Sequence, residues 1–252
     1  MTPAAVMFRL AAPILAVALC VSSSRAQTPD LPPGFVRLAD IAPTIRQDIR
    51  YAGPFNFTGR PVPGYAAPRC LLLRAAAEAL ARAQERLARD GFHLKVYDCY
   101  RPERAVRAFI AWANRPGEDW GKRVFYPDLD KRHLFALGYL AAWSSHSRGV
   151  SVDVGLVRAD EPDRPTPRQA DRCDGPFAGR ADESSLDFGT AYDCSSPRSA
   201  TAHAHLTPAA RANRDRLVHA LTREGFRNYH REWWHFEYVG ARRGLRYDIP
   251  IR

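Results

Sequence analysis

The chain has 252 residues, a formal net charge of +10, and 46 % hydrophobic against 25 % charged residues. That length suits one large domain or two small ones with a real core, and no stretch beyond the N-terminus is apolar enough to span a membrane. The charge admits anionic cell-wall polymer, lipid headgroups or nucleic acid as partners, but the arginines are scattered and no nucleic-acid motif accompanies them. A solvated basic surface is the plainer reading, with no nucleic acid and no membrane span expected.

Residues 1–26 read as a cleavable export signal. Arg9 supplies a positive start, Leu10 to Val21 is a short, mostly apolar run, and Ser24-Arg25-Ala26 places small residues where a signal peptidase cuts. Cleavage after Ala26 removes two arginines and no acid, so the net charge falls from +10 to +8. Cys20 raises a lipoprotein alternative, which Leu19 argues against as a poor residue before a lipidated cysteine. The expected location of the mature chain, 27–252, is the periplasm.

Residues 27–69 are rich in Pro and Gly and read as an irregular N-terminal arm, with one short extended candidate at Ile49 to Ala52. From Leu71 to Arg89, Leu73, Ala76, Leu80, Ala83 and Leu87 recur at three- and four-residue steps. That spacing predicts an amphipathic helix ended by Asp90-Gly91. His93 to Tyr97 is a strand candidate. It leads through Asp98-Cys99-Tyr100-Arg101-Pro102 into a helix over Glu103 to Asn114, with Pro102 in its first turn and Arg101 on the strand-to-helix corner. A shorter helix is expected near Leu134 to Ala142. Val150, Val152 and Val154 alternate within Val150 to Val157 and predict a half-buried strand.

Residues 158–205 lack periodicity, and so long a loop in a compact domain is usually functional. Thr207-Pro208 starts a helix that stops at Gly225. Phe226 to Tyr229 and Trp234 to Val239 predict a terminal antiparallel pair. Helices and short strands interleave with few crossovers. The fold class is therefore α+β: a single domain with a small, mostly antiparallel sheet flanked by helices.

Four cysteines remain after cleavage: Cys70, Cys99, Cys173 and Cys194. An even number in an exported chain reads as two disulfides, and Cys70–Cys99 with Cys173–Cys194 is favoured because each closes a local segment. None forms a close Cys-x-x-Cys pair, so they make poor zinc ligands. Asn56-Phe57-Thr58 is formally a glycosylation sequon, read here as a chance occurrence.

The chemistry concentrates in Ser144 to Asp153 and in Glu232-Trp233-Trp234-His235. Two imidazoles, one carboxylate ligand and one spare carboxylate are the inventory of a catalytic zinc site: three protein ligands, an open position for water, and a base beside it. Gly149 lets the chain turn and return Asp153 towards His146. Asp153 lies in an otherwise apolar strand, where a carboxylate must be paired, hydrogen-bonded or on a metal. An Asp–His ion pair without metal is the competing reading. Glu232 and His235 are three apart, and in a regular strand such positions face opposite sides. Glu232 must therefore lie in an irregular approach to the strand, or else be a surface charge. Core packing is the plain reading of Trp233 and Trp234, and it is expected to hold for at least one of them. Arg101 is the natural donor to a developing oxyanion, against a structural ion pair with Asp98.

Ser-Ser-His-Ser-Arg-Gly…Asp, Tyr-Asp-Cys-Tyr-Arg-Pro and Glu-Trp-Trp-His together resemble the VanX-type D-alanyl-D-alanine dipeptidases of the M15 zinc peptidases. Asn56 to Gly59 and Phe188 to Asp193 extend the likeness through most of the mature chain. The resemblance implies one zinc ion per chain on His146, Asp153 and His235, with Glu232 as general base and acid and Arg101 polarising the scissile carbonyl. It also implies D-Ala-D-Ala as substrate, its free amino end held by Asp193 and Tyr51, and Ser144 helping to fix it. The export signal and the four cysteines depart from the best-known members and suggest salvage of cell-wall dipeptide in the periplasm. The alternatives are a peptidoglycan D,D-carboxypeptidase or L,D-endopeptidase, a zinc-binding envelope module without catalysis, and a structural domain without metal.

Overall fold

The computed structural model describes residues 31–164, 170–241 and 244–252, besides Met1. The expected signal peptide, with the lipoprotein alternative at Cys20, lies outside the described residues. Leu31 to Arg252 form one unit, a mixed α+β domain with two sheets and five α-helices among the described residues. In chain order its elements are β1 (Phe35–Arg37), α1 (Leu38–Ile41), β2 (Arg46–Gln47), β3 (Leu71–Leu73), α2 (Arg74–Arg89), β4 (Phe92–Asp98), α3 (Glu103–Asn114), α4 (Lys122–Phe125), β5 (Ser151–Arg158), α5 (Pro208–Thr222), β6 (Phe226–Asn228) and β7 (His235–Tyr238).

The main sheet is larger than the small one expected: it has five strands in the order β2-β4-β5-β7-β6. It is mostly antiparallel, with β2–β4 its parallel pair. A separate antiparallel pair, β1–β3, shortens the expected helix at its front end. Leu71 and Leu72 are both buried and ladder with Arg37 and Val36, so α2 begins only at Arg74. The predicted apolar face of α2 is then buried, Ala76, Leu80, Ala83 and Leu87 included. It packs against β4 and α5, while α5 lies against β5 and β6. Gln84 reaches from α2 to accept the Leu94 N–H at 2.7 Å. Thr207 caps α5 by accepting from the Ala210 N–H, with Pro208 in the first turn.

Three local expectations change. The arm before Cys70 carries β1, α1 and β2, and Phe35, Leu38, Ile45, Phe55 and Phe57 are buried in the core. The extended candidate at Ile49 to Ala52 is a 3-10 turn over Arg50–Ala52 instead. Pairing with β4 ends at Asp48, whose N–H donates to Val96 O. Asn56 then holds the turn by donating to the Gly53 and Arg60 carbonyls at 2.7 and 2.9 Å. Its amide is fully buried, which agrees with the sequon being a coincidence.

The helix expected near Leu134 to Ala142 does not form. A 3-10 turn over Lys131–His133, capped by Asp130, passes into a turn at Gly138 with φ +79°. Tyr139 N–H returns to Leu134 O there, which ends helical growth. The long segment after β5 is no surface loop throughout. Leu186 N–H donates to Leu156 O, and Phe188 and Tyr192 are buried against the sheet. The structure places Cys70 with Cys99 and Cys173 with Cys194 at S–S distances of 1.95 and 1.98 Å. No helix among the described residues is long and apolar enough to cross a membrane.

Candidate active site

Strands β4, β5 and β7 lie side by side and put Asp98, Asp153 and His235 in one row. Asp153 is the ladder partner of both Asp98 and His235. Regular alternation sends Asp153 to the face opposite Val152 and Val154. Asp98 reaches the same face because of a bulge. Val96 stands opposite Val154 while Asp98 stands opposite Asp153, so β4 carries one extra residue, Tyr97.

His146 enters from a 3-10 turn over Ser145–Arg148 that leads into β5. Ser144 caps that turn, its hydroxyl accepting from the His146 N–H at 3.2 Å. Gly149 closes the turn at φ +71°, and its N–H donates to His146 O. A Cβ at Gly149 would stand 2.4 Å from the Phe35 ring, so the position takes glycine for space as well as for backbone angle. The return of the chain from His146 to Asp153 is thus made as the spacing suggested.

His146 Nε2, His235 Nδ1 and Asp153 Oδ1 face one another. The separations are 3.0 Å between the imidazoles, 3.0 Å from His235 to Asp153 and 3.3 Å from His146 to Asp153. Zinc bonds of about 2.0–2.1 Å at tetrahedral angles would space ligand atoms about 3.3 Å apart. The outer contacts also fit a metal. His146 Nδ1 donates to Cys99 O at 2.6 Å, which leaves the Nε2 lone pair facing the other two ligands. Tyr192 Oη donates to Asp153 Oδ2 at 3.2 Å, leaving Oδ1 free to bind. Burial works to raise the Asp153 carboxyl, but the two imidazoles outweigh it and hold it well below the usual range. Burial lowers His235 despite Asp153, which favours the neutral imidazole that a metal requires. The donor set fits a divalent ion.

A cleft of about 960 Å³ opens in front of this trio, with Arg101, Tyr51, Asp193, Ser144 and Glu232 in its wall. Glu232 solves its geometric problem by lying in the loop between β6 and β7. Its N–H donates to Tyr229 O, and its carbonyl accepts from the His235 N–H. The Glu232 carboxylate has no hydrogen bond among the described residues. Burial, then the charges of Asp153 and Asp193, push it well above the usual range.

Arg101 donates from Nε and Nη2 to Asp98 Oδ2 at 2.9 and 2.7 Å. Asp98 is fully buried and also accepts from Tyr65 Oη at 2.6 Å. The ion pair with Asp98 therefore exists. It leaves Arg101 Nη1 without a hydrogen bond among the described residues, so the pair and a role towards substrate are compatible. The guanidinium lies over the rings of Tyr51 and Phe109, 5.1 and 5.2 Å from their centroids.

Asp193 takes a left-handed backbone, φ +62°, one residue before Cys194. Asp tolerates that conformation better than most residues. Tyr51 Oη donates to its Oδ2 at 2.9 Å. Burial, then the Asp153 charge, push the Asp193 carboxyl up to about 7. Trp233 is core, stacked on Phe188 at 4.0 Å with its Nε1 donating to Thr190. Trp234 borders the cleft and meets Tyr192 edge-on.

All eight residues expected at the site face one cleft. Sequence reasoning assigned nothing to Tyr192, Tyr65 or Asn228, and gave Asp98 only the part of an ion-pair partner. The one available signal was the position of Tyr192 beside Asp193 in the Phe188 to Asp193 motif.

The family model described as D-ala-D-ala dipeptidase, of the M15 peptidases, matches residues 32–164 and 178–251. The chain is similar to the D-alanyl-D-alanine dipeptidase of Enterococcus faecium, 34 % identical over 203 residues, covering 81 % of this chain and 90 % of that protein. It is also similar to that of Streptomyces coelicolor, 35 % identical over 202 residues, 80 % of this chain and 90 % of the relative. The Escherichia coli enzyme of the same name is 30 % identical over 202 residues, 80 % and 83 % of the two chains. The matched segments run through His146, Asp153, Glu232 and His235, and the chain belongs to the D-Ala-D-Ala dipeptidase family of M15 metallopeptidases.

Proposed function

We propose that this protein is a zinc enzyme that hydrolyses free D-Ala-D-Ala to two molecules of D-alanine. The observation that carries the reading is the set of three ligand atoms, 3.0–3.3 Å apart, beside the unpartnered carboxylate of Glu232. Two imidazoles and one carboxylate suit zinc, with a position left for water. Zinc, when bound, supplies a Lewis acid that activates water near neutral pH.

The chain's own groups do the rest. Glu232 takes a proton from the attacking water and passes it to the departing amine nitrogen. Arg101, steadied by Asp98, turns Nη1 to the charge that develops on the carbonyl oxygen. Asp193 and Tyr51 receive the free ammonium of the substrate, and Ser144 stands in the cleft wall to fix it. A blocked or longer peptide puts no ammonium at that point and leaves a buried acid unpaired, so the site selects dipeptides. The D-Ala-D-Ala preference rests on the shared family.

We also propose an exported, disulfide-bonded periplasmic enzyme that salvages cell-wall dipeptide. The apolar N-terminal run and the two cysteine pairs support this. The volume of the cleft is the one observation that favours a peptidoglycan carboxypeptidase instead. Incubation of purified mature protein with D-Ala-D-Ala and with its N-acetylated form, with and without chelator, separates the readings. The expected result is cleavage of the free dipeptide alone, lost with chelator and restored by zinc. Cleavage of the N-acetylated form selects the carboxypeptidase, and indifference to chelator removes the metal.

A further inference from the structure

Glu232 has an unusual requirement. Its carboxylate must stay free to take a proton, so no side-chain contact holds it, and its aim depends on its own backbone. That backbone lies in a loop of six residues between β6 and β7, where no ladder fixes it. One side chain meets both ends of the tetrapeptide that carries the base and a ligand. Asn228 Nδ2 donates to Glu232 O at 3.1 Å and to His235 O at 3.0 Å. The amide is itself oriented. Thr201 Oγ1 donates to Asn228 Oδ1 at 2.6 Å, which turns the NH2 group towards the two carbonyls. Thr201 N–H donates to His230 O, so the same residue holds the loop from a second point.

We propose that Asn228 is a positioning residue for the general base: its amide sets the distance between Glu232 and the ligand His235. This rests on Glu232 being the base. The chemistry is specific to asparagine. Aspartate has the shape but no donor, and it would set a charge against two carbonyl oxygens. Alanine removes the clamp and leaves each carbonyl with a single backbone donor, the His235 N–H on Glu232 O and the Tyr229 N–H on His235 O. Glutamine adds a methylene and displaces the donor.

The test compares Asn228→Ala, Asn228→Asp and Thr201→Val in zinc-loaded full-length mature protein, alone and combined with Glu232→Asp. Zinc content and melting temperature are measured beside kcat and KM for D-Ala-D-Ala. Asn228→Ala is expected to keep one zinc per chain and an unchanged KM while kcat falls about tenfold to a hundredfold. Thr201→Val, which only frees the amide to rotate, should move kcat in the same direction and by less. In the Glu232→Asp background, whose carboxylate is already displaced, Asn228→Ala should lower kcat by less than half its effect in the wild type. Full multiplication of the two losses overturns the proposal, as does a loss confined to KM or to zinc content. Wild-type turnover in a Glu232→Gln control would instead overturn the assignment of the base, so the two failures are told apart.

Discussion

Asp98 stands directly opposite Asp153 on the neighbouring strand, although a regular ladder from Val96–Val154 would bring Val152 there. The extra residue Tyr97 turns Asp98 to the same face as the ligand carboxylate. Once there it takes Arg101 in a two-point contact and approaches His146 Nδ1 at 3.5 Å. One bulge thus supplies both the anchor of Arg101, the proposed oxyanion donor, and part of the surroundings of His146, a proposed metal ligand.

Asp98→Ala should therefore harm stability and catalysis together. It strands the mostly buried Arg101 guanidinium, and breaking such a pair from one side costs about 3–5 kcal/mol. Arg101 then loses its aim, with kcat lower by about tenfold to a hundredfold. Urea unfolding and steady-state kinetics check the two effects, and Asp98→Asn should be milder in both. Unchanged stability with unchanged kcat would contradict the role given to the bulge.

Glu232→Gln removes the proposed base and leaves the three proposed ligands in place. Zinc content should stay at one per chain while kcat falls by at least about a hundredfold. Metal analysis by mass spectrometry beside a D-alanine release assay tests this. Dialysis of the wild type against chelator should abolish turnover, with recovery on added zinc.

The acid side of the pH profile should carry the signature of Asp193. Its carboxyl is pushed up to about 7 by burial and then by Asp153. Below that pH the group is protonated and neutral, and it no longer attracts the substrate ammonium. The value of kcat/KM should fall as the pH drops through this range. Asp193→Asn should be weak at every pH and should lose one ionisation from the acid limb. A limb of identical steepness in the variant would assign the ionisation elsewhere.

Cys194 adjoins Asp193, and Ala191 N–H donates to Cys173 O. The Cys173–Cys194 bridge, with a sequence separation of 21, should contribute about 3 kcal/mol by restricting the unfolded chain. Replacing both cysteines by serine should lower the melting temperature and raise KM for D-Ala-D-Ala more than it lowers kcat. A raised KM identifies the bridge as a support for the ammonium pocket. A change in melting temperature alone leaves it a fold staple.

The helices α2, α3 and α5 were legible because the chain carries its own period and punctuation there: Ala76 to Leu87 on one face, Pro102 before Glu103, Thr207-Pro208 at a start. The helix expected near Leu134 failed because Gly138 takes a left-handed turn that local apolar content does not announce. Leu71 to Leu73 looked like the first turn of α2, since burial on a two-stranded ladder depends on a partner, β1, more than thirty residues away. The part of Arg101 was open between ion pair and oxyanion donor. The structure shows the ion pair and, because that carboxylate occupies only two of its nitrogens, leaves room for the proposed role beside it.

Residue chemistry was available from the one-dimensional chain: two histidines, an acid in an apolar strand, a spare glutamate, and a glycine that allows the return from His146 to Asp153. Those features are local, set by side-chain type and by backbone freedom over a few residues. Convergence was decided only in three dimensions. The bulge at Tyr97, the Asp153–His235 ladder pair, the hydroxyl of Tyr192 on Asp153 and the hydroxyl of Thr201 on Asn228 all join segments distant in sequence. Strand register and loop closure are collective outcomes of burying the sheet, and no single segment holds them.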